Sequence, residues 1–481
     1  MERERVYVEG ARVAGVGERG ILFRHVLPNV APTVIVQATL MFSTAIAVEA
    51  GLSFVGIGTQ SPSVSWGIML KDAQSEVDLD AFQAVPPGLA IFFAVLAINI
   101  VGDHLQSLVI GGRSGVGGTV LDPAPVTGRS ERQPAIVGTG TSGVADAGAA
   151  LVVDELSVRY ATADGFVTAV DRARLTVAPG EVVALVGESG CGKSSLGLAI
   201  AGLLAPPAQL DASRLAISID GVDTDLVGAS AAARRRWRDL VGVVFQEPAA
   251  SLNPVNTIGR QLTRAIRSRG ASKDDARTRA LELLRQVQIP DPAKTFDGYP
   301  HQISGGMAQR VMIALALAQD PAVLIADEPT TALDVTVQAE VLRILRTLCE
   351  DLGLAVILIT HDLGVVADIA DRTVVMYAGQ IIEVGAAADV VGAPHHPYTA
   401  ALAAAVPRNE AGFGIAEAVP GSVPAPGQWP TGCRFADRCP HVIERCTEGP
   451  VVVDDEDGGR AVACIRAGEL TLAGIPVETG A

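Results

Sequence analysis

Gly187, Gly190, Gly192, Lys193 and Ser194 fall at the spacing G-x-x-x-x-G-K-S/T, the pattern of a loop that holds nucleotide phosphates. Glycines there let backbone N–H groups approach phosphate oxygens, which makes Gly187, Ser189, Gly190, Cys191, Gly192 and Ser195 candidate phosphate contacts. Lys193 would reach the β- and γ-phosphates, and Ser194 would offer an oxygen to Mg²⁺. Further along, Asp327 and Glu328 close an apolar run. A carboxylate at such a strand end suits the Mg²⁺ shell, which assigns Asp327 as a ligand. Its neighbour Glu328 suits a general base that positions water. The chemistry these residues describe together is hydrolysis of a Mg²⁺-bound nucleotide.

Those side chains need elements to carry them. Residues 182–186 are a continuous apolar run, the pattern of a buried strand, and residues 194–201 read as the helix after the loop, whose N-terminal dipole favours phosphate. Residues 323–328 and 355–360 repeat the buried-strand pattern, with Pro329 ending the first and His361 following the second. Strands are predicted near residues 151–159 and 167–177, and a mainly helical insert over 258–319. Within the insert, Ser304 precedes the periodic Met307, Val311, Ile313 and Leu315, so it can cap a helix. Alternating strands and helices return from 323 to about 405. The fold class is an α/β parallel sheet with a helical subdomain.

With Ser304-Gly305-Gly306 set between the phosphate loop and Asp327-Glu328, residues 151–408 resemble the ATP-binding cassette family. The resemblance implies further roles. Gln246 matches the loop glutamine that contacts Mg²⁺ and the attacking water, and His361 the histidine at the γ-phosphate. Asp334, in Thr331-Ala332-Leu333-Asp334, matches the loop that crosses between subunits. An aromatic residue ahead of the phosphate loop stacks on adenine in that family. Tyr160 is the choice here, with Phe166 its rival. The resemblance also implies that Ser304, Gly305 and Gly306 complete the ATP site of a second cassette, homodimeric or heterodimeric.

Composition places part of the chain in a membrane. Of 481 residues 49% are hydrophobic, more than a wholly soluble protein needs. Residues 30–58 carry only Glu49 as a charge and residues 85–101 carry none; a span needs ~20 apolar residues. Arg3, Arg5, Arg12, Arg19 and Arg24 precede the first, whereas Lys71 faces Asp72, Glu76, Asp78 and Asp80 between them, which puts both chain ends in the cytoplasm. The net charge of −16 excludes a nucleic-acid partner, which needs a basic face. No signal peptide opens the chain.

Glu9-Gly10-Ala11, Gly15 and His25-Val26-Leu27-Pro28 resemble the cytoplasmic coupling loop of importer permeases, with glycine and histidine replacing an alanine and an isoleucine. Glu49-Ala50-Gly51-Leu52-Ser53-Phe54 and Ser65-Trp66-Gly67 extend that resemblance towards dipeptide and oligopeptide permeases. Such permeases have further helices ahead of the coupling loop, so either the chain is truncated or another subunit supplies them.

Residues 111–148, rich in Gly, Ser, Thr and Pro, read as a tether. At the other end, His396-Pro397-Tyr398-Thr399 and Gly432-Cys433-Arg434-Phe435-Ala436-Asp437-Arg438-Cys439-Pro440 resemble the C-terminal extension of peptide-importer ATPases. Cytosolic disulfides are disfavoured, so Cys433, Cys439, Cys446 and Cys464 suggest a metal. The spacing C-x5-C-x6-C-x17-C lacks zinc-ribbon hairpins, and homologues with this pattern suggest a structural 4Fe–4S cluster. Zinc and free thiols are the alternatives. Ile465 stands where the family usually has histidine.

The expected organisation is a coupling loop (1–29), two transmembrane helices with an external loop (30–110), a linker (111–150), the cassette (151–400) and a Cys-bearing extension (401–481). The expected function is ATP-driven import of peptides or similar small solutes, nickel complexes among them. The chain would sit multi-pass in the inner or plasma membrane with its ATPase domain cytoplasmic. Expected partners are permease subunits, a second cassette and an extracytoplasmic solute-binding protein. A soluble cassette ATPase outside transport and a truncated, non-transporting remnant are the alternatives.

Overall fold

The computed structural model describes residues 27–58, 63–75, 81–110, 126–128, 148–162, 165–204, 207–219, 221–331, 333–406, 419–449, 451, 454–456 and 459–475. The coupling-loop residues up to His25 and Val26, and most of the tether, lie outside them. The chain divides into two compact units near residue 120.

In the N-terminal unit, α1 (Leu27–Val55), α2 (Trp66–Ser75) and α3 (Val85–Ile110) follow one another. Stretches Gln37–Val55 and Phe82–Val101 are each long and apolar enough to cross a bilayer. Met41, Phe42, Phe92 and Phe93 are exposed along them, an apolar surface that lipid or protein must cover. α1 meets α3 through Ser43 Oγ, which donates to Asn99 Oδ1 at 3.0 Å. α3 runs past the sequence estimate because Asp103 and His104 do not break a helix, while Pro86 and Pro87 fit its first turn. The expected external loop contains α2. Gly67 allows α2 to approach, since a Cβ there would stand 2.2 Å from the Ala50 carbonyl.

The second unit is built on two sheets. The first holds β1 (Val126–Gly128), β2 (Leu151–Thr162), β3 (Gly165–Val177), β5 (Gln209–Ala212), β6 (Arg214–Ile219) and β7 (Val222–Asp225). β1 lies in the expected tether and pairs parallel with β5. β4 (Val182–Val186) leads into α4 (Lys193–Ile200), and α5 (Ala231–Leu240) is anchored by Trp237, whose buried indole donates to the Ile200 carbonyl at 2.8 Å. β4 belongs to the second sheet, with β8 (Val241–Val244), β9 (Val323–Asp327), β10 (Ala355–Thr360), β11 (Arg372–Tyr377) and β12 (Gln380–Ala386). Its strands β11, β4, β10, β9 and β8 are neighbours in that order and run parallel. Such central strands are buried on both faces and read as unbroken apolar runs.

The helical insert comprises α6 (Ile258–Arg267), α7 (Lys273–Gln286), α8 (Pro292–Asp297) and α9 (Gly305–Leu317). α10 (Val335–Leu352) and α11 (Leu363–Ile369) cover the main sheet, and α12 (Ala387–Gly392) and α13 (Pro397–Ala404) lead to the extension. The extension is less irregular than its sequence implies. β13 (Asp454–Glu456) and β14 (Arg460–Val462) add to the sheet edge through antiparallel pairing of β14 with β12.

His396 starts α13 from a buried position, its Nδ1 accepting the Tyr398 N–H at 3.0 Å. Burial pushes its pKa down to about 4, against a smaller opposing pull from Glu383. Between about pH 6.5 and 4 the unfolded chain therefore holds a proton that the folded chain does not, so stability falls as pH drops through that window. The loss should approach ~1.4 kcal/mol per pH unit. Thermal unfolding midpoints between those limits should fall steeply in wild type and less so in His396→Asn, which keeps a capping acceptor but cannot titrate. Superimposable profiles would refute this assignment.

Candidate nucleotide site

Parallel register brings the reactive residues to one edge. Val186 pairs with Thr360 and Asp327 with Ile359, so β4, β10 and β9 release Gly187, His361 and Glu328 side by side. Ligands bind at this carboxyl edge in open α/β sheets. The phosphate loop then turns through Gly187, Gly190 and Gly192, all at positive φ. Gly192 has φ +109° and caps α4; a Cβ there would lie 2.6 Å from the Ala169 carbonyl.

Lys193 is buried within the loop and its Nζ donates to the carbonyls of Gly187 at 2.7 Å and Glu188 at 2.9 Å. Cys191, also buried, sits 3.8 Å from that Nζ, and burial raises its thiol pKa. Ser189 and Ser194 are exposed. Ser194 Oγ donates to Asp327 Oδ1 at 3.4 Å, which puts two of the three expected Mg²⁺ ligands together. Burial, aided by the charge of Glu328, raises the Asp327 pKa, a shift that a divalent cation would reverse.

Glu328 is gripped from three directions. Gln246 Nε2 and Thr331 Oγ1 donate to its Oε2, each at 2.9 Å, and His361 Nδ1 lies 3.1 Å from Oε1. Burial raises its pKa, but the bonds from Thr331 and His361 prevail and the carboxyl lies below its ordinary value. It is therefore ionised at neutral pH, as a base must be. Its backbone takes φ +46°, an uncommon conformation for a residue with a side chain. Thr331 was named in the sequence only within the crossing loop. Its bond to Glu328 had no spacing signal.

The Tyr160 hydroxyl donates to Ser195 Oγ at 3.1 Å, placing its ring beside the loop, whereas Phe166 is exposed. Ser304 and Asp334 are helix caps. Ser304 Oγ accepts the Met307 N–H at 3.3 Å, and Asp334 Oδ1 accepts the Val337 N–H at 3.0 Å. Gly306 faces Val337, 2.4 Å from where a Cβ would stand, whereas Gly305 has nothing within 4 Å. Among the described residues these signature positions share no hydrogen bond with the phosphate loop.

Cys433, Cys439, Cys446 and Cys464 are free thiols lining one small cavity, with Phe435, His441 and Arg466. Burial, then the three other thiols, pushes Cys433 up to about 11. Among the described residues, no group of three or more His, Cys, Asp or Glu is placed to hold a metal ion.

Comparison with known proteins agrees with this geometry. Residues 170–331 match the family described as ABC transporter, and residues 382–446 the oligopeptide/dipeptide transporter C-terminal region. Residues 1–112 match the binding-protein-dependent transport system inner membrane component. The dipeptide transport ATP-binding protein of Escherichia coli K12 is 44% identical over 321 residues, 66% of this chain and 96% of that protein. Its Haemophilus influenzae counterpart is 46% identical over 332 residues, covering 69% and 98%.

Gly192→Ala should weaken nucleotide binding at least ~10-fold, equivalent to ~1.4 kcal/mol, through φ strain and the Ala169 contact. Titration with a fluorescent ATP analogue measures it; wild-type affinity would show that the loop tolerates a Cβ.

Proposed function

The chain belongs to the ABC transporter family, and from that premise we propose that it hydrolyses ATP to drive import of peptides or similar small solutes, its N-terminal part contributing permease-type helices. The observation that carries this reading is the convergence of the phosphate loop, Asp327, Glu328, Gln246 and His361 at one sheet edge. Residues 187–195 bind the phosphates of ATP, with Tyr160 beside them for the adenine. Ser194, Asp327 and Gln246 hold Mg²⁺, which neutralises charge on the β- and γ-phosphates when bound. Glu328 takes the proton of the attacking water, while Lys193 and His361 stabilise charge on the γ-phosphate.

Ser304, Gly305 and Gly306 act on ATP held by a second cassette, and Asp334 lies in the loop between the two. Open space at Gly305 supports this, since nothing in its own surroundings requires glycine there. The peptide reading rests on the match of residues 382–446 and on the named activity of the relatives. The match of residues 1–112 and the two apolar stretches favour a membrane complex with permease subunits and a binding protein over a soluble ATPase. In that complex the cassette faces the cytoplasm.

The four thiols suit an all-cysteine 4Fe–4S cluster better than one zinc ion. Their spacing lacks zinc-ribbon hairpins and all four line one small cavity, although among the described residues they are not placed as a group that could hold a metal ion. Cys433, Cys439, Cys446 and Cys464 would hold it, and its contribution would be structural. Anaerobically purified protein should show visible charge-transfer absorbance and bound iron, both lost in Cys433→Ser; colourless, iron-free wild type would refute the cluster.

Glu328→Gln should bind ATP with affinity near wild type and turn over at least ~100-fold more slowly, because the amide keeps the shape and loses the base. Steady-state ATPase assays with nucleotide titrations test this. Wild-type turnover would remove Glu328 from the mechanism.

A further inference from the structure

Glu188, the second residue of the phosphate loop, is held from outside that loop. Its carboxylate receives Arg438 Nη1 at 2.7 Å and Nη2 at 2.9 Å, a two-bond fork. Its backbone N–H donates to the Tyr398 hydroxyl at 2.7 Å. The Arg438 side chain is only 6% exposed, and its remaining bonds go to Tyr377 Oη and the carbonyls of Val419 and Pro420. Tyr398 is fully buried, its ring 4.6 Å from Tyr377 and 5.4 Å from Phe435. Phe435 and Arg438 both lie between Cys433 and Cys439. The Cys-bearing extension and the start of α13 thus meet the nucleotide loop at one residue.

That residue has leverage. The carbonyls of Gly187 and Glu188 are the acceptors that fix Lys193 Nζ. Glu188 also stands between Gly187 and Gly190, whose freedom leaves the loop's path weakly determined by its own sequence. We propose that Arg438 and Tyr398 are positioning residues for the ATP site. By fixing Glu188 they hold the loop and Lys193 in the shape that receives phosphate. The inference rests on the reading of residues 187–195 as the ATP site and adds the extension to its machinery. A preformed loop lowers the ordering cost of binding, so the effect falls on affinity. Glu328, Gln246 and His361 make no contact with Arg438, so the hydrolytic step itself is little changed.

The test uses the purified full chain, with ATPase kinetics and titration of a fluorescent ATP analogue. Arg438→Met should raise KM and the analogue's Kd about tenfold with kcat within about twofold of wild type. Tyr398→Phe should raise both about threefold, and Arg438→Lys should recover part of the loss because lysine lacks the planar fork. Glu188→Gln weakens the same link from the loop side without touching the extension, and should also raise KM if the arginine variants fail to fold. Adding Arg438→Met to Glu188→Gln should cost little more than Arg438→Met alone. A fall in kcat at unchanged KM, or additive effects in the double variant, would overturn the proposal and leave Arg438 a scaffold residue. Lys193→Ala is the control for the underlying reading: undiminished analogue binding there would remove the ATP site itself.

Discussion

The register between β4, β10 and β9 fixes where every reactive group stands. Val186 lies opposite Thr360 and Asp327 opposite Ile359, so three adjacent parallel strands finish within one residue of each other. A slip of one residue would move a strand end by about 3.3 Å and turn its side chains to the other face. Neither the 2.9 Å bond from Gln246 to Glu328 nor the approach of Ser194 to Asp327 would survive it. The strands therefore set the geometry of the candidate site, although apart from Asp327 and Thr360 their side chains are apolar, and of them all only Asp327 makes one of its hydrogen bonds. Their unbroken burial is what makes such a slip costly.

Glu328 shows how local strain is carried at that edge. A glutamate at φ +46° costs on the order of 1–3 kcal/mol, yet its carboxylate collects bonds from Gln246, Thr331 and His361. Bonds to a charged acceptor are worth about 1.5–3 kcal/mol each when buried. The Glu328 side chain is 19% exposed and His361 62%, so the His361 bond counts for less. Gln246 and Thr331 are exposed as well, so solvent screens their bonds too, and the carboxylate is held by several modest ties rather than one strong one. The three donors come from separate segments, after β8, after β9 and after β10. The carboxylate keeps its aim only while those segments keep their relative places.

Much of this was legible in the sequence because the informative signals were local. The phosphate loop, the Asp327-Glu328 pair and His361 each follow an apolar run whose length and composition mark a buried strand, and all three strands form as read. Ser304 caps its helix as its position implied. What escaped was short or distant. β1, β13 and β14 are three residues each, too short for a periodicity to develop. Thr331 is three residues from Glu328, but only the chain's turn at the strand end aims it inward. Arg438 reaches Glu188 across 250 positions, and no spacing rule spans that distance.

The boundary placed at residue 400 is where sequence and physics part most clearly. Composition changes there, but burial does not. Glu383 of β12 is fully buried and accepts from the backbone N–H groups of His395 and His396 and from Arg460 of β14. Removing Arg460 with the extension would leave a buried carboxylate short of its cation, the costly half of a broken pair. Arg434 repeats the arrangement. It pairs with Asp171 of β3, donates to the Ala378 carbonyl at 2.6 Å and stacks 3.9 Å from the Trp429 ring. Arg438 makes a third tie, to Glu188. Each of these three arginines of the extension thus neutralises an acid of the cassette, one of them, Glu188, in the phosphate loop. An appendage joined by a linker would share neither buried charge nor sheet with its neighbour. The extension is accordingly an integral layer of the ATPase, and Arg434 and Arg438 reach the core from one short segment between Cys433 and Cys439.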